Sequence, residues 1–477
     1  MTAVVGTPPL EMGREDARPV NPATLEPLGH LPATTPQELN EAAEAAAAVA
    51  RTRWATDRRW RADVLRTWAD GLRAESGSLA SALVAETGKP IMEARAEVAG
   101  AAEALAYNAG LARHLGGSAG TLPDGSVAHL VREPVGLTGF IVPWNWPVLL
   151  LFRDLAPALA AGVTALVKPA LQTSLVTERV IALGRDAGLP TNAVRLVVGD
   201  VAAGRAVIAH PALRAVAFTG STAVGAEIMR DAARGMKRTL LELGSKGAAV
   251  IFPDADTALA MEALLPSIVI TAGQMCMACT RILVPRPLQE EVRERLVDGL
   301  RAMRVGDPTD ERTRVGPLIS AGQRERVERY LTRIEGTVLG GQRVEPDGLP
   351  GHFLTPAVVT DVEVRSPVVQ EDIFGPVVTL ETFDREDEAI RLINATPYGL
   401  ASAVWTADID RAWRVSRAIE AGTVWINGYN RSYPEMPSGG YKLSGVGRTR
   451  GVAGVEHFSE LKHVHFNVAE PAHEEDR

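Results

Sequence analysis

Val216-Ala-Phe-Thr-Gly-Ser-Thr-Ala-Val-Gly225 is a short apolar run that breaks at a glycine and continues as a helix-forming stretch. A buried strand, a glycine-bracketed turn and a helix in succession form the repeating unit of a parallel sheet wound with helices. The neighbouring sequence repeats the unit. Phe140-Ile-Val, Thr164-Ala-Leu-Val, Val194-Arg-Leu-Val-Val and Ala215-Val-Ala-Phe read as buried strands, with helical periodicity near 148–162, 174–187 and 223–234. A second round starts at Ala248-Ala-Val-Ile-Phe, with strands near Arg281-Ile-Leu-Val, Val377-Val-Thr-Leu and Thr423-Val-Trp-Ile and helices near 256–272, 288–303 and 321–334. The expected fold class is therefore α/β, as two doubly wound lobes with a seam between about 243 and 248.

Upstream, residues 35–51 and 61–113 place apolar side chains at spacings of three and four, the mark of amphipathic helices. Gly116, Gly117, Gly120, Pro123 and Gly125 interrupt that pattern before His129-Leu-Val-Arg-Glu, which suits a hairpin or extended arm. A chain of 477 residues with 46% hydrophobic and 23% charged side chains has ordinary globular composition and room for about three domains. The net charge of −8 and the lack of Lys/Arg runs argue against nucleic acid as a partner. Two cysteines cannot build a disulfide framework, which points to a reducing, cytoplasmic setting. No secretory pattern is visible in Met1 to Pro19, and the most apolar span, Val148 to Val167, carries Arg153, Asp154 and Pro157, so a buried helix is expected there and no membrane crossing. The histidines and cysteines show no metal-ligand spacing, so no metal site is expected.

Four segments offer chemistry, each with a plainer alternative. Cys276, in Ala272-Gly-Gln-Met-Cys-Met-Ala-Cys-Thr-Arg, has the small-residue setting of an accessible nucleophile, although an isolated cysteine is also a common core residue. Gly220 and Gly225 bracket a strand-to-helix turn that can present amide hydrogens to a phosphate, or simply turn the chain. Ala226 and Glu227 stand where a Walker loop needs Lys and Ser or Thr. Asn145, in Pro143-Trp-Asn-Trp-Pro147, is a candidate oxyanion donor or a helix cap. Glu242 lies in the apolar run Leu240-Leu-Glu-Leu, where desolvation makes a general base, or where Lys246 or Lys237 pairs with it.

In order along the chain, Asn21-Pro-Ala-Thr, Glu133-Pro-Val-Gly, Pro143-Trp-Asn-Trp-Pro, Leu166-Val-Lys-Pro, Phe218-Thr-Gly-Ser-Thr, Glu242-Leu-Gly, Gly273-Gln-Met-Cys, Ile373-Phe-Gly-Pro and Gly439-Gly-Tyr-Lys-Leu-Ser-Gly-Val-Gly-Arg448 resemble the aldehyde dehydrogenase superfamily over nearly the whole length. The resemblance implies NAD(P)-dependent oxidation of an aldehyde to the acid. It gives Cys276 the role of nucleophile, Asn145 and the Cys276 amide that of oxyanion hole, and Glu242 that of base for thioester hydrolysis. For the cofactor it implies Lys168 at the adenosine ribose, Gly220, Ser221 and Gly225 at the pyrophosphate turn, Trp144 beside the asparagine, and Asp372 and Phe374 near the nicotinamide ribose. Three positions depart from the common pattern: Leu171 replaces an acidic residue and so admits NADP beside NAD, Asp372 replaces Glu, and Thr449 replaces Glu.

The resemblance also divides the chain into a Rossmann-like cofactor-binding domain (1–113 and 134–243), a catalytic domain (244–445), and a small β oligomerisation arm with a C-terminal strand (114–133 and 446–477). A homodimer or homotetramer follows from the arm's free edge. On the substrate side it points to a tunnel with Arg153, Trp146, Met275, Met277 and Tyr429. Arg153 suits acidic or hydroxylated aldehydes, or else pairs with Asp154. It disfavours betaine aldehyde despite Glu435-Met-Pro-Ser-Gly-Gly-Tyr-Lys, which is similar to that subgroup. A coenzyme A-acylating enzyme and a non-catalytic member of the fold are the alternatives, both disfavoured by Glu242 beside Cys276 and Asn145.

Overall fold

The computed structural model describes residues 15–467. The expected tail at 469–477, the last residue of the expected C-terminal strand, Val468, and most of the start at 1–19 lie outside the described residues. The first sheet has six strands in the order Gly445–Val446, Arg238–Glu242, Ala215–Thr219, Leu137–Ile141, Thr164–Lys168, Val194–Leu196. All are parallel except Gly445–Val446, which returns antiparallel along Arg238–Glu242. Successive strands run outward in one direction from Leu137–Ile141 and then in the other, so the order reverses between that strand and Ala215–Thr219. Such reversal opens a crevice at the carboxyl ends of the two strands.

The second sheet has seven strands, with Ala248–Ile251 between Arg281–Pro285 and Ala401–Trp405. Its six parallel strands are completed by an antiparallel edge, Thr337–Gly340. Alternation divides each sheet between two cores: Ala249 and Ile251 face one cluster, Ala248 and Val250 the other. On the first sheet, one face packs on helices Arg58–Ala74, Ile91–His114 and Pro147–Ala161 through Trp68, Leu105 and Phe152, while Leu166, Val216 and Phe218 pack on the opposite side. The chain leaves the first sheet at Glu242 and enters the second at Ala248.

A hairpin, Ser118–Thr121 with Val127–Pro134, pairs antiparallel with Ser459–Phe466 from Pro134↔Ser459 to Val127↔Phe466. One expected boundary is corrected. Residues 446–458 do not belong with this arm: Val446 pairs with Leu241, and helix Gly451–His457 packs against Pro147–Ala161. The sequence signal was a glycine-rich stretch without periodicity, and such a stretch says nothing about which sheet it closes.

Candidate active site

The chain turns sharply as it leaves each strand at the crevice. Pro143-Trp144-Asn145 follows Leu137–Ile141, Gly220-Ser221 follows Ala215–Thr219, and Glu242 ends Arg238–Glu242. A cleft of about 490 Å³ opens here, lined by the expected Trp144, Asn145, Gly220, Ser221, Glu242, Cys276, Asp372 and Phe374. Pro143, Thr222, Gln323, Arg326 and Tyr398 also line it and had not been singled out.

Cys276 reaches the cleft from the second lobe on a strained loop. Thr271, Ala272 and Gly273 all have positive φ, at 49°, 53° and 73°. Two of these are not glycine, so the surrounding structure must hold them there. The Thr271 amide and hydroxyl each donate to Glu93 Oε2 at 2.8 Å, and Trp146 Nε1 donates to Thr271 Oγ1 at 2.8 Å. Gln274 donates from Nε2 to Thr271 O and accepts the Ile319 amide on Oε1. Asn145 Nδ2 donates to Gln274 O at 2.9 Å, while Asn145 Oδ1 is buried without a partner among the described residues. At Gly273 a Cβ would lie 2.2 Å from the Gly375 backbone, so no larger residue fits. Beneath this loop the sealed ion pair Lys89–Glu97 completes the support: Glu97 accepts the Val148 amide, and the Lys89 ammonium sits 4.2 Å from the Trp146 ring centre.

Burial raises Glu242 to about 7, opposed by Arg153, and its Oε1 has no hydrogen-bond partner among the described residues. Burial likewise pushes the Cys276 thiol up to about 11, with Arg153 pulling it down and Glu242 pushing it higher. Near neutral pH the thiol thus stays protonated while Glu242 is poised between its acid and carboxylate forms, and the carboxylate form can accept the thiol's proton. Asp372 is also raised by burial, with Lys246 opposing, and its Oδ2 accepts the Ser245 amide at 3.3 Å.

The turn after Ala215–Thr219 fits an elongated anionic ligand. Ser221 caps helix Thr222–Ala233, leaving the first helical amides at the cleft wall. A Cβ on Gly244 would come 2.9 Å from Asp372 Oδ2, so that wall is kept open by the absence of side chains. Gly225, expected at the pyrophosphate, instead serves packing, since a Cβ there would meet Leu243 at 2.5 Å.

Several expected residues sit elsewhere. Lys168 ends strand Thr164–Lys168, outside the cleft, and burial lowers it to about 8. Trp146 points away from the cleft, into the Thr271 network, because its indole N–H requires a buried acceptor. Tyr429 is 5% exposed and stacks on Trp425 in the core of the second lobe, and so does not shape a tunnel mouth. Met275 and Met277 are half-buried on either side of Cys276. Arg153 donates from Nε and Nη2 to Asp154 and from Nη2 to Thr219 Oγ1; the ion-pair reading describes its contacts, although it remains electrostatically coupled to Cys276 and Glu242. Thr449 donates to Asp154 Oδ1 at 2.7 Å. Sequence reasoning missed Glu93, Gln274 and Arg450. A carboxylate on an amphipathic helix reads as a solvated face, so Glu93 carried no signal.

Among the described residues no group of three or more metal-ligating side chains occurs, and no helix is long and apolar enough to cross a membrane. A family model described as the aldehyde dehydrogenase family matches residues 11–464. A geranial dehydrogenase of Castellaniella defragrans is 38% identical over 456 residues, which is 94% of each chain. A betaine aldehyde dehydrogenase of Staphylococcus aureus, solved in complex with NAD+, superposes with a TM-score of 0.93 at 35% identity, covering 96% of this chain and 92% of that one. An NAD-dependent aldehyde dehydrogenase from Sinorhizobium meliloti matches equally, with a TM-score of 0.93, 35% identity, and 96% and 92% coverage.

Proposed function

The chain belongs to the aldehyde dehydrogenase family, and from that premise we propose that it oxidises an aldehyde to the carboxylic acid with Cys276 as the nucleophile. The observation that carries this reading is the convergence of Cys276, Asn145 and Glu242 on one cleft at the switch point of the first sheet. Glu242 takes the Cys276 proton, and the thiolate adds to the carbonyl carbon. Charge then develops on the former carbonyl oxygen, where the Asn145 side-chain amide and the Cys276 backbone N–H receive it. A bound nicotinamide dinucleotide supplies the hydride acceptor that converts this adduct to a thioester. After passing the thiol's proton to solvent, Glu242, with its unpaired Oε1, removes a proton from the water that hydrolyses the thioester and frees the acid.

The relatives point to NAD, one by its name and one by its bound ligand, and we assign NAD to the cleft held by Trp144, Gly220, Ser221, Asp372 and Phe374. Lys168, at the end of the neighbouring strand, is assigned to the adenosine ribose. Leu171 offers no carboxylate to repel a 2′-phosphate, so NADP is also accepted. The arm hairpin and Ser459–Phe466 leave an edge with Leu461 and Phe466 more than half exposed, which favours sheet extension into a homodimer or homotetramer. A nucleophilic thiol suits the reducing cytoplasm.

The test is stopped-flow detection of reduced nicotinamide with a panel of aliphatic, aromatic and acidic aldehydes and both cofactors. Cys276→Ala eliminates the signal. Glu242→Gln forms the first equivalent more slowly than the parent and then turns over more slowly still. Full turnover in the Cys276 variant refutes the assignment.

A further inference from the structure

Arg450 occupies a backbone conformation, φ 63° and ψ 171°, that is essentially reserved for glycine. Among the described residues its buried Nε has no partner, and no hydrogen bond or ion pair to its side chain ties the guanidinium down. Burial draws its proton affinity down to about 10, and the charges it senses are Arg153, Asp154, Glu242 and Cys276. A strained residue whose half-buried guanidinium has an unpartnered, buried Nε costs stability twice, and such costs persist where they serve a ligand.

The neighbourhood explains why the charge stays free. Asp154, a carboxylate whose charge Arg450 senses, accepts from Arg153 Nε and Thr449 Oγ1 on Oδ1 and from Arg153 Nη2 on Oδ2. Arg448 is spent on the Gly440 and Gly447 carbonyls. The adjoining Gly451 amide donates to Pro434 O at 2.8 Å, which fixes Arg450 between the 429–437 loop and the Arg153–Asp154 pair. Arg450 does not line the cofactor cleft, although its charge is felt by Cys276 and Glu242. Arg153 and Asp154 cancel, and Arg450 remains.

We propose that Arg450 is the specificity determinant for the aldehyde, receiving a carboxylate carried by the substrate, so that acidic aldehydes are preferred over neutral and cationic ones. The carboxylate accepts the guanidinium hydrogen bonds that no protein group takes. A trimethylammonium group meets net positive charge in the same place, which sets this chain apart from the betaine aldehyde dehydrogenases it resembles.

The proposal rests on the aldehyde-oxidising reading, so its test has one arm that needs no oxidation. Cys276 is alkylated with iodoacetate and with iodoacetamide; Cys279, 0% exposed, does not compete. The ratio of the two rates cancels any change in thiol ionisation and reports attraction of a carboxylate. In Arg450→Gln the ratio falls about tenfold or more, and Arg450→Lys restores part of it. In the unaltered protein, succinate protects Cys276 from iodoacetamide and succinamide does not, a comparison independent of how the variants fold. In the second arm, kcat/KM for succinate semialdehyde relative to pentanal falls at least tenfold in Arg450→Gln, chiefly through KM. An unmoved alkylation ratio in a folded variant, or equal protection by succinate and succinamide, overturns the role of Arg450. If no aldehyde is oxidised while the ratio still moves, the proposed reaction fails and the carboxylate site stands.

Discussion

The side-chain amide of Asn145 is hydrogen-bonded to the backbone carbonyl of Gln274 at 2.9 Å, joining a turn of the first lobe to the loop that carries Cys276 across 129 residues of chain. One N–H of Asn145 is thereby committed to orientation, leaving the second for an oxyanion. The residue that receives charge also sets the register of the residue that delivers it.

Asn145→Ala removes both functions. Loss of an oxyanion donor lowers kcat by about 10²–10³, and loss of the bond to Gln274 O leaves that carbonyl unpaired. Asn145→Asp retains the size but cannot donate, so it is expected to fall as far in kcat. Steady-state rates with thermal unfolding curves check this; an Asp variant with near-normal kcat refutes the oxyanion role.

Much of this site was legible in the sequence because its parts are backbone events with short signatures. Gly220-Ser221 sits where a strand becomes a helix, and Pro143 to Pro147 opens a helix in the same way. The contacts that hold the site were not legible. Glu93 meets Thr271 over 178 residues, and no local pattern encodes such a meeting. The sequence leaves Arg153 as either a tunnel cation or a partner for Asp154, and only the fold shows the guanidinium folded back to reach both carboxylate oxygens of Asp154. The short strands Ala357–Thr360 and Ala401–Trp405 are buried on both faces, so their sequences carry little of the polar–apolar alternation that marks a strand.

Gly273→Ala is expected to disable the enzyme and destabilise it. The φ of 73° is unfavourable for alanine, and its Cβ would lie 2.2 Å from the Gly375 carbonyl carbon, a backbone atom that cannot swing aside. Relief requires the Cys276 loop or the Phe374–Gly375 turn to move, so cofactor binding and thiol placement fail together. A crystal structure of the variant with an unmoved loop, or an unchanged melting temperature, contradicts this.

Glu93 separates hydrogen bonding from charge. Glu93→Ala leaves the Thr271 amide and hydroxyl without their acceptor, costing about 1–3 kcal/mol per unsatisfied group, and it frees the strained residues before Cys276. Glu93→Gln keeps an accepting oxygen and is expected to remain near the parent in both stability and activity. Denaturant unfolding checks the pair. Equal stability of the Ala variant and the parent eliminates the clamp.

Glu242 predicts opposite pH effects on rate and stability. Its carboxyl is raised from 4.5 to about 7 by burial, so the base form needed for thioester hydrolysis grows as pH rises through 7 and levels above it. For stability the sign reverses. A group whose proton is held more tightly in the folded state favours folding fully below its unfolded value near 4.5, and that contribution is lost as pH rises through 7. Glu242→Gln, which stays neutral, is therefore less active at every pH but more stable than the parent above pH 7, with the difference vanishing near pH 4. Single-turnover hydrolysis rates give the first profile and chemical unfolding at several pH values gives the second. A hydrolysis rate independent of pH from 5 to 9, in the range where chemistry limits turnover, removes Glu242 as the base.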